Sequence, residues 1–187
     1  MVAAAQLEKF IEIARRVGAQ VETITSADDA AAYIRNNSRG PVVLPEFASS
    51  TRLGLDGRLR EAGCEVVCQN LRKSAPAADA GVTGANFALA DTGSVVLEST
   101  DEAIRLATTL PERHFVLLDP AKILADGFAA IPYLRKLREK SPRHFLAYIS
   151  GPSRTADIER VLTIGVHGPK ELHILLMKGI SEDFLEM

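Results

Sequence analysis

The sequence predicts an α/β domain built on a mostly parallel, open sheet with helices on both faces and a local β-hairpin. Three observations carry this. Apolar residues recur at helical spacing in some segments and form strand-length runs in others, and the two patterns alternate along almost the whole chain. His114-Phe115-Val116-Leu117-Leu118 and Phe145 to Ser150 are apolar runs of the kind buried on both faces of a parallel sheet. Asp91-Thr92-Gly93 separates two further apolar runs, as a hairpin turn does.

Each element has its own local reason. Leu7, Phe10, Ile11 and Ala14 fall at i, i+3, i+4 and i+7 and predict a first helix, stopped at Gly18. A short strand follows from Ala19 to Ile24. Ser26 is a good N-cap for a helix over 27–36, with Asp28 and Asp29 in its positive first turn. Pro41 to Pro45 is a short strand bounded by proline at both ends. The stretch after Glu46 is less patterned and ends in a helix around 56–62, and Gly63 leads into a strand from Cys64 to Gln69. Lys73 to Ala80 reads as a loop or short helix. Ala85 to Ala90 and Ser94 to Ser99 are the arms of the hairpin. A helix over 101–110, capped by Thr100 or Asp101, is stopped by Pro111. Another covers 129–139, with Pro132 in its first turn. Last come a helix over 156–164, burying Ile158, Val161 and Leu162, and a strand from Leu172 to Met177 that closes the sheet. With no internal repeat and no low-complexity linker, residues 1–187 form a single domain.

Composition narrows the function. At 187 residues, 47% apolar and 25% charged, the chain can bury a real core. A formal net charge of −2 gives no electrostatic footing for nucleic acid or anionic membrane, and 5% aromatics without tryptophan argue against a base-stacking platform. No apolar run approaches membrane-spanning length, and the N-terminus lacks the basic-then-apolar order of a signal peptide, so a cytoplasmic protein is expected. Cys64 and Cys68 have no further soft ligands beside them and read as reduced core cysteines rather than zinc or cluster ligands. The four histidines share no short spacing, so no metal site is expected.

Two stretches concentrate turn residues and small polar side chains. The first holds Thr83, Gly84, Asp91, Thr92, Gly93 and Ser94. The second holds Ser150, Gly151, Pro152, Ser153, Thr155, Asp157, His167 and Gly168. Both are placed at carboxyl ends of strands, where open α/β sheets bind ligands, and are expected to face one site. The turn from Ser150 to Ser153 leads into the predicted helix, whose first amides together with the Ser153 and Thr155 hydroxyls suit a small anion. Asp157 and Glu159 favour the helix dipole but repel an anion, so plain helix capping by Ser153 or Thr155 is the reading that the local sequence alone favours. His167, in a constrained turn, is either an acid/base or ligand anchor, or a cap on helix carbonyls. Asp91 and His167 are the candidate catalytic groups. His173 suits a core or supporting role, and His114 and His144 a structural or surface one.

These stretches, GVTGANFALADTGSVVLES from Gly81 and SGPSRTADIERVLTIGVHGPKELHILLM from Ser150, resemble the paired signatures of the lactate-utilisation protein C family, whose core is the LUD domain. The likeness is firm over Asp79 to Met177. Asp91 stands where glutamate is common in that family, which keeps the carboxylate but shortens its reach. The N-terminus is short for the family, so an amphipathic leader is expected to be missing or trimmed. The resemblance implies a NagB/RpiA/CoA-transferase-like fold and a part in bacterial oxidation of L-lactate to pyruvate. In that role the chain is a non-redox component that binds a small anionic ligand or a partner subunit. Iron–sulfur clusters are then expected on partner subunits, with no cofactor on this chain. Two alternatives stay open. One is a stand-alone CoA transferase or sugar-phosphate isomerase, for which Glu98 and Glu159 are the nucleophile candidates. The other is a small-acid sensor without chemistry.

Overall fold

The computed structural model describes residues 4–140, 143–155 and 163–187. The first apolar stripe forms α1 (Ala4–Arg16), which buries Phe10 and Ala14. Strand β1 (Gln20–Thr23) and helix α2 (Ala27–Asn37) follow, and the Ser26 hydroxyl accepts the Asp29 N–H as an N-cap. Next in order are β2 (Val42–Val43), α3 (Ala48–Arg52), α4 (Leu55–Glu61), β3 (Val66–Val67) and α5 (Leu71–Ser74). The middle of the chain holds β4 (Ala80–Gly84), β5 (Phe87–Leu89), β6 (Ser94–Glu98), α6 (Glu102–Thr109) and β7 (Arg113–Leu118). The Asp101 carboxylate caps α6 by accepting the Ala103 N–H. The chain continues with β8 (Ile123–Leu124), α7 (Gly127–Lys140), β9 (Leu146–Ile149), β10 (Arg154–Thr155), β11 (Thr163–Ile164) and β12 (Glu171–Leu176). Helix α7 starts earlier than predicted, so Pro132 lies inside it. No described helix is long and apolar enough to cross a membrane.

Six strands form one sheet in the order β1-β12-β7-β4-β2-β3, and every pairing in it is parallel. A second sheet, β8-β5-β6-β9, contains the predicted hairpin: β6 runs antiparallel to both β5 and β9. Alternation along the strands divides the core. Phe115, Leu117 and Leu175 pack with Ile34, Leu55 and Leu59 of α2 and α4. Val116, Leu118, Ile174 and Leu176 pack on the other face with Phe10 and Ala14 of α1 and with Ala88 and Val95 of the smaller sheet. Side chains of a strand point alternately to opposite faces, so each buried strand feeds both cores.

Four expectations are corrected here. Residues 80–84 are a fully buried central strand, not turn material. Their small side chains serve close packing: a Cβ on Gly81 would lie 1.9 Å from the Ala107 carbonyl oxygen of α6. Strand β12 lies inside the sheet, between β1 and β7, rather than closing it. Strand β9 is half-buried at the edge of the smaller sheet, with Tyr148 and the preceding Phe145 exposed. Finally, Thr155 and Thr163–Ile164 are strand rather than helix, because β10 and β11 pair antiparallel. The rest of the predicted helix, residues 156–162 with Asp157 and Glu159, lies outside the described residues.

Because its strands all run one way, the large sheet has an amino edge and a carboxyl edge. The turns before β7 and β12 gather at the amino edge, where Lys170 N–H donates to the Glu112 carbonyl at 2.7 Å. Arg113, 5% exposed, ties this edge together by pairing with Asp79 ahead of β4 and with Glu171 of β12. The carboxyl edge is crossed by residues 178–187, anchored where Asp119 accepts the Ile180 N–H at 2.8 Å.

Candidate functional site

The hairpin turn and the turn after β9 meet. The Ser94 hydroxyl donates to Thr92 Oγ1 at 2.8 Å, which leaves Ser150 as donor to Ser94 across 2.6 Å. The pairing of Val95 with Ile149 one residue further in makes this contact, because it sets the two serines side by side at the end of β6 and β9. Both turns also press on the end of α1. Gly93 (φ +62°) and Gly151 (φ +75°) hold left-handed backbone, and Cβ atoms there would fall 2.4 Å from the Ala14 nitrogen and 2.1 Å from the Val17 carbonyl oxygen. Arg154 donates to the same Val17 carbonyl at 2.6 Å and so caps the helix end from outside. One side of the paired stretches is therefore a clamp on α1.

The other side opens onto a cleft of about 270 Å³. Ser150, Gly151, Pro152 and Ser153 form one wall, and His167, Gly168 and Pro169 the facing one. Two backbone bonds hold the walls in register: Ser153 N–H to the Pro169 carbonyl at 2.8 Å, and Gly165 N–H to the Ser153 carbonyl at 2.9 Å. Thr108 and Thr109 from the end of α6, His114 from β7, Leu172 from β12, and Ala147, Tyr148 and Ile149 of β9 line the rest. His167 is exposed, whereas His114 is 1% exposed. The His114 Nε2 lies 2.8 Å from Thr83 Oγ1, and its Nδ1 has no hydrogen-bond partner among the described residues. Burial, with a smaller push from His173, pulls the His114 pKa down to about 3, so the ring is neutral at ordinary pH.

The cleft differs in place from the expectation. It sits at the amino edge of the parallel sheet, not outside carboxyl ends. The turn from Ser150 follows β9, which belongs to the smaller sheet, and the turn at His167 precedes β12. The candidate residues also divide. Ser94 and Thr92 meet Ser150, and Ser150 to Ser153 meet His167 and Gly168. Thr83 reaches the cleft only through His114. Gly84 lies at the far, carboxyl edge against Met187. Asp91 faces the opposite side of its turn, in a surface depression with Lys9, Asp126 and Phe128. Thr155 is held in β10, and Asp157 lies outside the described residues. Glu98 Oε1 accepts the Thr100 N–H at 2.9 Å and serves the local chain turn.

His114 and the Thr108–Thr109 pair were not singled out from sequence as site residues. A usable signal existed: Arg113-His114 places two polar residues at the head of a buried strand, where each needs a reason. The polar groups of the cleft are hydroxyls, a neutral buried imidazole and an exposed one, set among apolar side chains such as Ile149 and Leu172. Ser150 is bonded to a serine rather than to an imidazole, so it is not an activated nucleophile. Among the described residues no group of three or more His, Cys, Asp or Glu side chains is placed to hold a metal ion.

Both stretches fall within residues 7–177, which match the LUD domain family. The chain belongs to the LUD domain family. Lactate utilization protein C of Geobacillus kaustophilus is 30% identical to this LUD domain over 165 residues, covering 80% of the chain and 68% of that protein. The protein of the same name from Bacillus subtilis is 29% identical over 153 residues, covering 75% and 63%. Escherichia coli YkgF, named as an electron transport protein, is 30% identical over 138 residues, covering 70% of the chain and 27% of YkgF. The matched stretches thus span only part of such relatives. In three dimensions the LUD domain is similar to a DUF162 family protein from Deinococcus radiodurans, with a TM-score of 0.66 and 21% identity, covering 93% of this chain and 97% of that one. That likeness is one of fold.

Proposed function

We propose that this LUD domain is a non-redox component of a bacterial, cytoplasmic iron–sulfur system that oxidises L-lactate to pyruvate. In this reading the clusters sit on partner subunits, and the cleft between Ser150–Ser153 and His167–Pro169 holds a small anionic ligand or receives a partner segment. The observation that carries it is kinship: relatives that match three quarters or more of this chain bear the name lactate utilization protein C. The cleft supports it chemically, since the Ser153 hydroxyl and the neutral His114, whose Nδ1 has no partner among the described residues, can hydrogen-bond a hydroxy or oxo acid, and no carboxylate is among the described residues that line it. Glu98, engaged with Thr100, lends nothing to the acyl-transfer alternative.

The test is complementation. In a Bacillus subtilis strain lacking its lactate utilization protein C, expression of this chain restores growth on L-lactate, and cysteine-rich partners co-purify with it. Soluble, folded protein that neither restores growth nor retains such partners overturns the proposal.

A further inference from the structure

Open α/β sheets lodge ligands outside the carboxyl ends of their strands, at the point where strand order reverses. In this sheet the reversal falls between β2 and β4. From there β2 leads outward to β3, while β4, β7 and β12 follow one another in the opposite direction. That crevice is filled by the chain's own residues 180–187. A Cβ on Gly84, the last residue of β4, would lie 2.8 Å from the Met187 carbonyl carbon. Ser49 N–H, just past β2, donates to the Met187 oxygen at 2.9 Å.

The segment has neither helix nor strand of its own. Donors on the body hold it instead. Arg52 reaches the Ile180 carbonyl at 2.6 Å and grips both Glu186 carboxylate oxygens, at 2.7 and 3.0 Å. Asn86 donates to the Phe184 carbonyl at 3.3 Å. Lys122 donates to the carbonyls of Glu186 at 2.7 Å and Ala85 at 3.3 Å. Lys122 is 2% exposed, and burial draws its pKa down to about 8. An ammonium taken out of water is costly unless well paired, yet the oxygens touching it are backbone carbonyls. Asp119 is already committed to the amides of Ile180 and Ser181. Two cations and an amide donor thus converge on oxygens that the segment supplies, and one of those groups is the Glu186 carboxylate, whose two oxygens share one guanidinium nitrogen of Arg52 in a charge-assisted contact.

We propose that the crevice between the ends of β2 and β4 is a second binding site, for a small carboxylic acid that replaces Glu186 on Arg52 and reaches Lys122, with residues 180–187 as the strap that occupies it. A side-chain fastening of the strap away from the site is the stacking of Phe184 on Tyr133, ring centres 4.0 Å apart. Loosening that stack releases the strap without touching the receiving groups.

The experiment measures the rate of reductive methylation at Lys122 by peptide mass spectrometry in the full chain. Phe184→Ala raises that rate at least about tenfold, as expected when a locally opening segment loses an aromatic anchor. L-Lactate, pyruvate or malonate then returns the rate towards that of the parent in a saturable way, and sodium chloride at equal ionic strength does not. Adding Arg52→Met to Phe184→Ala keeps the fast labelling and abolishes the protection by acids. Glu186→Ala is an independent release, should Phe184→Ala unfold the chain by circular dichroism. Unchanged labelling in both released variants overturns the proposal. So does equal protection by chloride and by the acids, or protection that survives Arg52→Met.

Discussion

Replacing His114 by glutamine should flatten the acid side of the stability profile. In the folded protein His114 stays neutral down to about pH 3, because the ring is sealed between β4, β7 and α6. In the unfolded chain it protonates with an ordinary histidine pKa of about 6.5. Below that value the unfolded state binds a proton that the folded state refuses, so stability falls as pH falls, by about 1.4 kcal/mol per pH unit. Between about pH 7 and about pH 5 this one group therefore removes about 2 kcal/mol. His173 shifts downward too, through burial opposed by Glu171, but it is common to both proteins and cancels in the comparison. The assay is urea denaturation of the parent and His114→Gln across that range. The parent should lose about 2 kcal/mol more than the variant. Parallel profiles would mean that His114 titrates normally in the folded state, that water reaches its ring, and that the sealed inner wall of the cleft is a wrong description.

Four further outcomes can be measured directly. Gly151→Ala should cost about 3 kcal/mol by chemical denaturation, combining left-handed backbone strain with the approach to the Val17 carbonyl. Ser94→Ala removes the hub between Thr92 and Ser150 and should cost about 1 kcal/mol, readable in the same assay. Arg113→Met leaves Asp79 and Glu171 without their buried partner and should cost about 3 kcal/mol. His167→Ala, on an exposed turn, should shift stability by less than about 0.5 kcal/mol while failing to restore growth on L-lactate in the complementation assay.

How much of this could be read from sequence depends on which force sets each element. Helices α1, α2 and α6 were legible because their boundaries are local: an apolar stripe plus a cap, such as Ser26 or Asp101. The hairpin around Gly93 was legible for the same reason. Strand β4 was not. Ala-Gly-Val-Thr-Gly has poor strand propensity, and what makes it a strand is the demand of α6 for a flat surface at Gly81, a contact made across the fold. Strand β12 reads as a closing strand because it comes last. Its place between β1 and β7 comes from the parallel topology, in which chain order and sheet order differ.

The site was half legible for a related reason. Residue types marked out Ser94 and Ser150, and their meeting follows once β6 and β9 pair. Direction was the harder matter. A turn after a strand looks like a carboxyl-edge turn only if that strand belongs to the main sheet, and β9 does not. The same misplacement hid the carboxyl edge itself. Residues 180–187 carry no periodic pattern, so nothing in Ile-Ser-Glu-Asp-Phe-Leu-Glu-Met marks it as the segment that fills the crevice beside Gly84. Its role is set by what Arg52, Asn86 and Lys122 present to it, and those three come from segments that only the folded sheet brings together. A buried lysine between two apolar strand runs, as in Pro120-Ala121-Lys122-Ile123-Leu124, is the one local sign that the edge holds something polar.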